Sequence, residues 1–198
     1  MKRLILLPII LIMCGSAVKA YSEVGICAGL NVSHDWGWNA PEYEPSLGYN
    51  LGIFAAIPLL PSNNFRLQAE ARFTTKGINY TEDALERQNT YYYMEVPLLL
   101  KYSIGTGSLK LQPYAGISLA YLIAARQRVE ADDPYTVNIS KNMNKEDVAL
   151  NLGVDVVIDP LVIGVRFNRG WVNIFKEDEF LGYKHHNQTL MLNLGLTL

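Results

Sequence analysis

The chain has 198 residues, 17 basic and 19 acidic, with a formal charge of −2 and 18% charged residues. A length of this order suits one domain. The acidic balance excludes nucleic acid as a partner, and a mean hydropathy of only +0.07 excludes a bundle of membrane helices.

The N-terminus reads as a signal peptide, 1–20. Lys2 and Arg3 precede the apolar run Leu4–Met13, and Val18-Lys19-Ala20 is a small-residue cleavage site. The run is too short to span a bilayer as a helix. Removing it takes Lys2, Arg3 and Lys19 from the basic count and no acid, leaving 14 basic and 19 acidic residues and a formal charge of −5. Cys27 is the cysteine left in the 21–198 domain, so no internal disulfide forms.

From there the chain alternates. Glu23–His34 sets Val24, Ile26, Ala28, Leu30 and Val32 against a row of small residues. After a polar loop, Asp35–Ser46, the segment Leu47–Ile57 alternates again, and Pro58–Asn64 is a turn. Phe65–Lys76, FRLQAEARFTTK, is the clearest case. Its odd positions are nearly all apolar, while Arg66, Glu70, Arg72 and Lys76 share the other face. A period of two is the mark of an extended strand. A loop is expected over Gly77–Thr90. Tyr91–Ile104 then places Tyr92, Met94, Val96, Leu98, Leu100 and Tyr102 opposite Glu95 and Lys101, and Gly105–Ser108 turns the chain. Leu109–Arg126 is the fifth strand, with Lys110 and Arg126 opposite its apolar row. Gln127–Glu146 is the longest loop. Asp147–Ile158 and Leu161–Asn168 pair through the turn Asp159-Pro160, and Val172–His186 leads to the last strand, Asn187–Leu198.

Eight strands, an even number, are joined alternately by long and short connections. Strands of this length and period, so joined, predict an all-β fold. It is an eight-stranded antiparallel up-and-down transmembrane β-barrel with long extracellular loops and short periplasmic turns. Tyr49, Phe73, Tyr92, Tyr121 and Phe167 fall on the apolar face near the long-loop end, and Phe65 and Tyr102 near the short-turn end. These are two aromatic girdles at the lipid–water boundaries. A lipocalin-like carrier would turn the charged row outward, where Gly25, Gly29, Gly48 and Gly52 would have no purpose. Inside a narrow barrel they make room for long side chains.

The run Tyr93-Met94-Glu95-Val96-Pro97-Leu98-Leu99-Leu100-Lys101-Tyr102, followed by Gln112-Pro113-Tyr114-Ala115-Gly116, resembles the PorT-like outer-membrane β-barrel family. The architecture is similar to the small OmpA/OmpX type. The resemblance implies a bacterial outer membrane, and it accommodates Pro97 and Pro113, which are otherwise awkward within strands. It implies no single activity. The ending Leu196-Thr197-Leu198 departs from the aromatic terminus of many such proteins.

The expected interior row is a cluster of both signs: Arg66, Glu70, Arg72, Lys76, Glu95, Lys101, Lys110, Asp155 and Arg166, with Glu23, Arg126 and Asp147. Buried charge must pair, and eight strands enclose only enough room for their own side chains. A salt-bridged, non-conducting plug is therefore expected; a small channel is the alternative. Counting from the Asp159-Pro160 turn puts Asp155 opposite Gly164, and an Asp155–Arg166 pair is expected, together with Glu95 to Arg72 or Lys76. No catalytic residue, cofactor or metal site is assigned. A lipid hydrolase built on His34, His185 or His186 with Ser33 or Glu179 is the enzymatic alternative, but no spacing enforces it. Asp132-Asp133 and Glu177-Asp178-Glu179 read as solvated loop charge. The expected partners are membrane lipid or lipopolysaccharide around the barrel and an extracellular protein or ligand at the loops.

Overall fold

A computed structural model describes residues 23–36, 44–59, 64–82, 84–176 and 185–198. The expected signal peptide and the acidic run Glu177-Asp178-Glu179 lie outside the described residues. Among the described residues nine strands follow in order: β1 (Glu23–Trp36), β2 (Glu44–Pro58), β3 (Phe65–Glu82), β4 (Leu85–Tyr102), β5 (Leu109–Glu130), β6 (Tyr135–Asn138), β7 (Glu146–Ile158), β8 (Leu161–Gly170) and β9 (His186–Thr197). Each neighbouring pair is antiparallel. β1 pairs with β9 and β4 with β5, so eight strands close on themselves, and β6 is an extra strand beside β5. Closure removes the unpaired edges that lipid could not satisfy.

The alternation in the sequence becomes two surfaces. Leu30, Leu51 and Leu119 are 67%, 60% and 61% exposed on the outside, while Asn31, Asn50 and Ser118 beside them are buried inside. The outer wall is thus apolar and the core polar, the inverse of a water-soluble protein. At the long-loop end Tyr49, Phe73 and Tyr92 form a chain of rings, with centroids 6.1 and 6.2 Å apart. Tyr121 and Phe167 continue it on the outward rows of β5 and β8. Phe65 and Tyr102 meet at 4.8 Å near the other end.

Two expectations change. Gly77–Thr90 is not a loop: β3 and β4 stay paired from Gly77↔Thr90 up to Glu82↔Leu85. Ile78 and Asn89 still point inward and are buried. The segment is polar because both of its faces leave the lipid, and loss of apolar residues there mimics loss of the strand. The loop Gln127–Glu146 likewise shrinks, because β5 runs on to Glu130 and folds back into β6. β3, β4, β5 and β6 thereby form a sheet that rises beyond the upper girdle.

The second change is one of facing. In β4–β5, Tyr92 pairs with Ala124 but Tyr93 with Leu122, so Ile123 is an extra residue, a β-bulge. Below it the even residues of β5 face inward, Tyr114, Ser118 and Leu122 among them. Above it the odd ones do, Ala125 and Val129. Arg126, expected in the interior, is turned to the outside, where its guanidinium lies 5.8 Å from the centre of the Tyr92 ring.

Candidate functional site: the charged interior and its rim

The inward residues assemble in layers. At the short-turn rim Arg66 pairs with Glu23. Above them Glu70 of β3 is the hub. It accepts from Arg72 Nε and Nη2 at 3.2 and 2.8 Å, and from Arg166 Nη1 and Nη2 at 3.0 and 2.7 Å. Gln68 Nε2 donates to it at 2.7 Å. One carboxylate thus holds guanidinium groups from β3 and β8 on opposite walls. The fork geometry of Arg166 is the strong, bidentate form of the contact. Arg72 Nη1 also donates to Asn50 Oδ1 at 2.5 Å and to Asn193 Oδ1 at 2.8 Å. Arg166 Nε donates to the Tyr114 hydroxyl at 3.2 Å.

Asp155 faces Gly164 in the register counted from the turn. The expected Asp155–Arg166 pair, however, is not formed. Asp155 takes Lys101 of β4 at 2.5 Å, and Arg166 crosses to Glu70. Two facts explain this. The space left by Gly164 is filled by the Asp155 carboxylate itself, not by Arg166. In a barrel this narrow, long side chains also reach the opposite wall as readily as the next strand. Glu95 pairs with Lys76 at 2.6 Å, and Lys76 Nζ donates to Asn168 Oδ1 at 2.9 Å. Lys110 stands half-buried at the short-turn rim and makes no ion pair among the described residues, so it does not belong to the expected cluster.

An asparagine network ties these layers together, and sequence reasoning assigned it no role. Asn50 donates to Asn31 at 2.7 Å, Asn31 to Thr74 at 2.9 Å, and Asn168 to Asn151 at 3.0 Å. The signal was present as Asn recurring at inward positions of six strands. An amide carries both donors and acceptors and can bridge any two neighbours. The cavity beside the hub, lined by Glu70, Arg72, Lys101, Asp155 and Arg166 among others, measures about 30 Å³, room for little more than a water molecule.

The long-loop end is stoppered by apolar side chains. Tyr91, Tyr93, Leu122, Ala125, Met143, Ile174 and Phe175 form one buried cluster. Met143 and Phe175 pair as an isolated bridge, and Asn144 N donates to Ile174 O at 2.8 Å. Asn187 donates to the Tyr93 hydroxyl at 3.3 Å and to Asp147 at 3.1 Å just beneath. His185 is buried edge-on against Phe175 at 5.3 Å. Burial, and next the neighbouring His186, hold its pKa below the ordinary histidine value.

Of the expected enzymatic pairs, His34 and Ser33 do not meet. Ser33 is buried inside and hydrogen-bonds Thr189 at 3.2 Å. His34 is on the outward row of β1, so the two side chains lie on opposite sides of the wall. Glu179 lies outside the described residues. Asp132 and Asp133 are exposed, and among the described residues no three His, Cys, Asp or Glu side chains are grouped to hold a metal ion.

A family profile described as outer membrane protein beta-barrel domain matches residues 16–176. No curated protein matches the chain. Among solved structures it is similar to the attachment invasion locus protein Ail of Yersinia pestis. That similarity is 13% identity over 90% of this chain and 99% of that one, with a TM-score of 0.51. It is also similar to Neisserial surface protein A, at 12% identity over 88% and 97% of the two chains and a TM-score of 0.55. At such identities the likeness is one of fold.

Proposed function

The chain belongs to the outer membrane protein beta-barrel domain family and resides in a bacterial outer membrane, and on that premise we propose that it is a closed, non-conducting anchor that displays a rigid extracellular sheet for binding. The observation that carries this reading is the continuation of β3, β4 and β5 beyond the upper girdle, with β6 added. A strand that only crosses the membrane needs about 9–11 residues, whereas these three have 18, 18 and 22. The surplus stands in water, and its outward face is polar: Glu86, Gln88, Arg128 and Glu130 are exposed. The ion-paired hub, the small cavity and the apolar stopper support the closed interior. The motif Tyr93–Tyr102 supports a place in the PorT-like branch. Ser33 and His34 face opposite sides of the wall, so that pair lends the enzymatic alternative no support.

The display is tested by introducing Gln88→Cys or Thr136→Cys and treating intact cells with a membrane-impermeant maleimide. Cys27 is buried and serves as the internal control. Both new thiols are expected to label while Cys27 stays silent. Failure of either to label on intact cells rejects the extracellular sheet.

A further inference from the structure

The outward rows of the eight barrel strands carry few cations. Among the described residues these are Arg126, Arg128 and Arg169, and all three lie beyond the upper girdle. From the short-turn end up to the girdle, the outward positions are uncharged. Arg128 is satisfied by Glu130 at 2.7 Å. Arg126 and Arg169 have no carboxylate partner among the described residues. Each instead stacks on an aromatic ring at the lipid boundary: Arg126 5.8 Å from the centre of Tyr92, and Arg169 3.9 Å from the centre of Trp36.

We infer that Arg126 and Arg169 hold phosphate groups of outer-leaflet lipid headgroups against the barrel wall. Stacking occupies the face of a guanidinium and leaves its N–H edge free for a planar, bidentate contact with an oxyanion. The site at Arg169 is built further. Registers across three strands set His34, Gln188 and Arg169 in one row, since His34 pairs with Gln188 and Gln188 with Arg169. That row is the first polar one above Val32, Leu190 and Phe167. The His34 Nδ1 is buried with no hydrogen-bond partner among the described residues. Trp36 and His186 close the row from above, with ring centroids 5.9 Å apart. An anion at this height would meet a guanidinium, an amide and an imidazole together.

The site at Arg126 exists because of the bulge. Were the alternation of β5 unbroken through Ile123, Arg126 would face the lumen; with the bulge, the arginine is delivered to the lipid boundary one step above Tyr92. Bulges commonly re-aim a side chain in this way. The one-sided distribution of outward cations selects the leaflet. Headgroup phosphates attract cations at the surface where they lie, and the short-turn end offers them none.

The test uses the full folded chain in detergent. The probe is lipid A bearing two phosphates, compared with the same lipid after enzymatic dephosphorylation, and the readout is the number of lipids retained in native mass spectrometry. The phosphorylated form should be retained, and the dephosphorylated form should bind about tenfold more weakly, as loss of a charge-assisted hydrogen bond requires. Arg126→Gln and Arg169→Gln should each remove one class of bound lipid, while Arg128→Gln should remove none. Heat-modifiable migration verifies the fold of each variant. Should a Gln variant fail to fold, Arg169→Lys and Arg126→Lys keep the charge but lose the fork, and weaker retention is expected of them. Equal retention of both lipids, or no change in the variants, overturns the inference. Displacement of the lipid by an equal concentration of inorganic phosphate reassigns the sites to a soluble anion and overturns the headgroup assignment.

Discussion

Replacing Glu70 by Gln tests the electrostatic core at its hub. Glu70 is 4% exposed and receives both Arg72 and Arg166. The substitution keeps the shape and one carbonyl acceptor but removes the charge, leaving two guanidinium groups with no anion. Arg72 retains Asn50 and Asn193. Arg166 retains only the Tyr114 hydroxyl and the Tyr114 ring, 5.4 Å away. The larger part of the loss therefore falls on Arg166. Removing one member of a buried pair costs about 3–5 kcal/mol, and Gln, still able to accept one bond, belongs at the lower end of that range. Glu70→Ala should reach the upper end. Urea unfolding of the barrel refolded into lipid vesicles measures both. If Glu70→Gln costs no more than the ~0–1 kcal/mol of a surface pair, the interior is well hydrated and the plug reasoning is wrong.

Other outcomes follow from the same contacts. A double-mutant cycle on Lys101→Gln and Asp155→Asn should show coupling of more than about 1 kcal/mol, whereas Asp155→Asn with Arg166→Gln should be nearly additive; the reverse pattern would contradict the pairing described. Acid should loosen the stopper. With the His185 pKa below its unfolded value, the unfolded state binds more protons, so the stability from this site is full above about pH 6.5 and is lost as pH falls below it. Hydrogen exchange over Val172–Lys176 should quicken there, and exchange unchanged down to pH 5 would reject this role. Deleting Ile123 should remove the bulge without moving the register above it, so Thr90→Cys and Arg126→Cys should still cross-link. Loss of that cross-link would show that Ile123 is not the extra residue of the β4–β5 pairing.

The barrel was legible because period two persists through every spanning strand, and because lipid leaves no alternative to strict alternation. The Asp155↔Gly164 register was legible from a tight turn, which fixes pairing locally. The partners of Asp155 and Arg166 were not. Strand counting gives neighbours on the next strand, but Glu70 meets Arg166 across the lumen and Lys101 reaches Asp155 over the intervening β5, and no local rule encodes those distances. The facing of Arg126 was hidden for a related reason. The bulge at Ile123 sits in the run Tyr121–Ala125, whose small and apolar residues suit either face. The sheet above the girdle was mistaken for loop, since Gly77–Thr90 loses its apolar row as soon as it leaves the lipid.

Conductance tests the closed-anchor account most directly. The purified barrel is inserted into planar bilayers at neutral pH, and current is recorded under a steady potential. Arg166–Glu70–Arg72 across the lumen and the Tyr91–Phe175 cluster above it predict no steady porin-scale conductance. Reproducible open-channel steps from the unmodified protein would contradict the account, and would make the inward charges the lining of a pore.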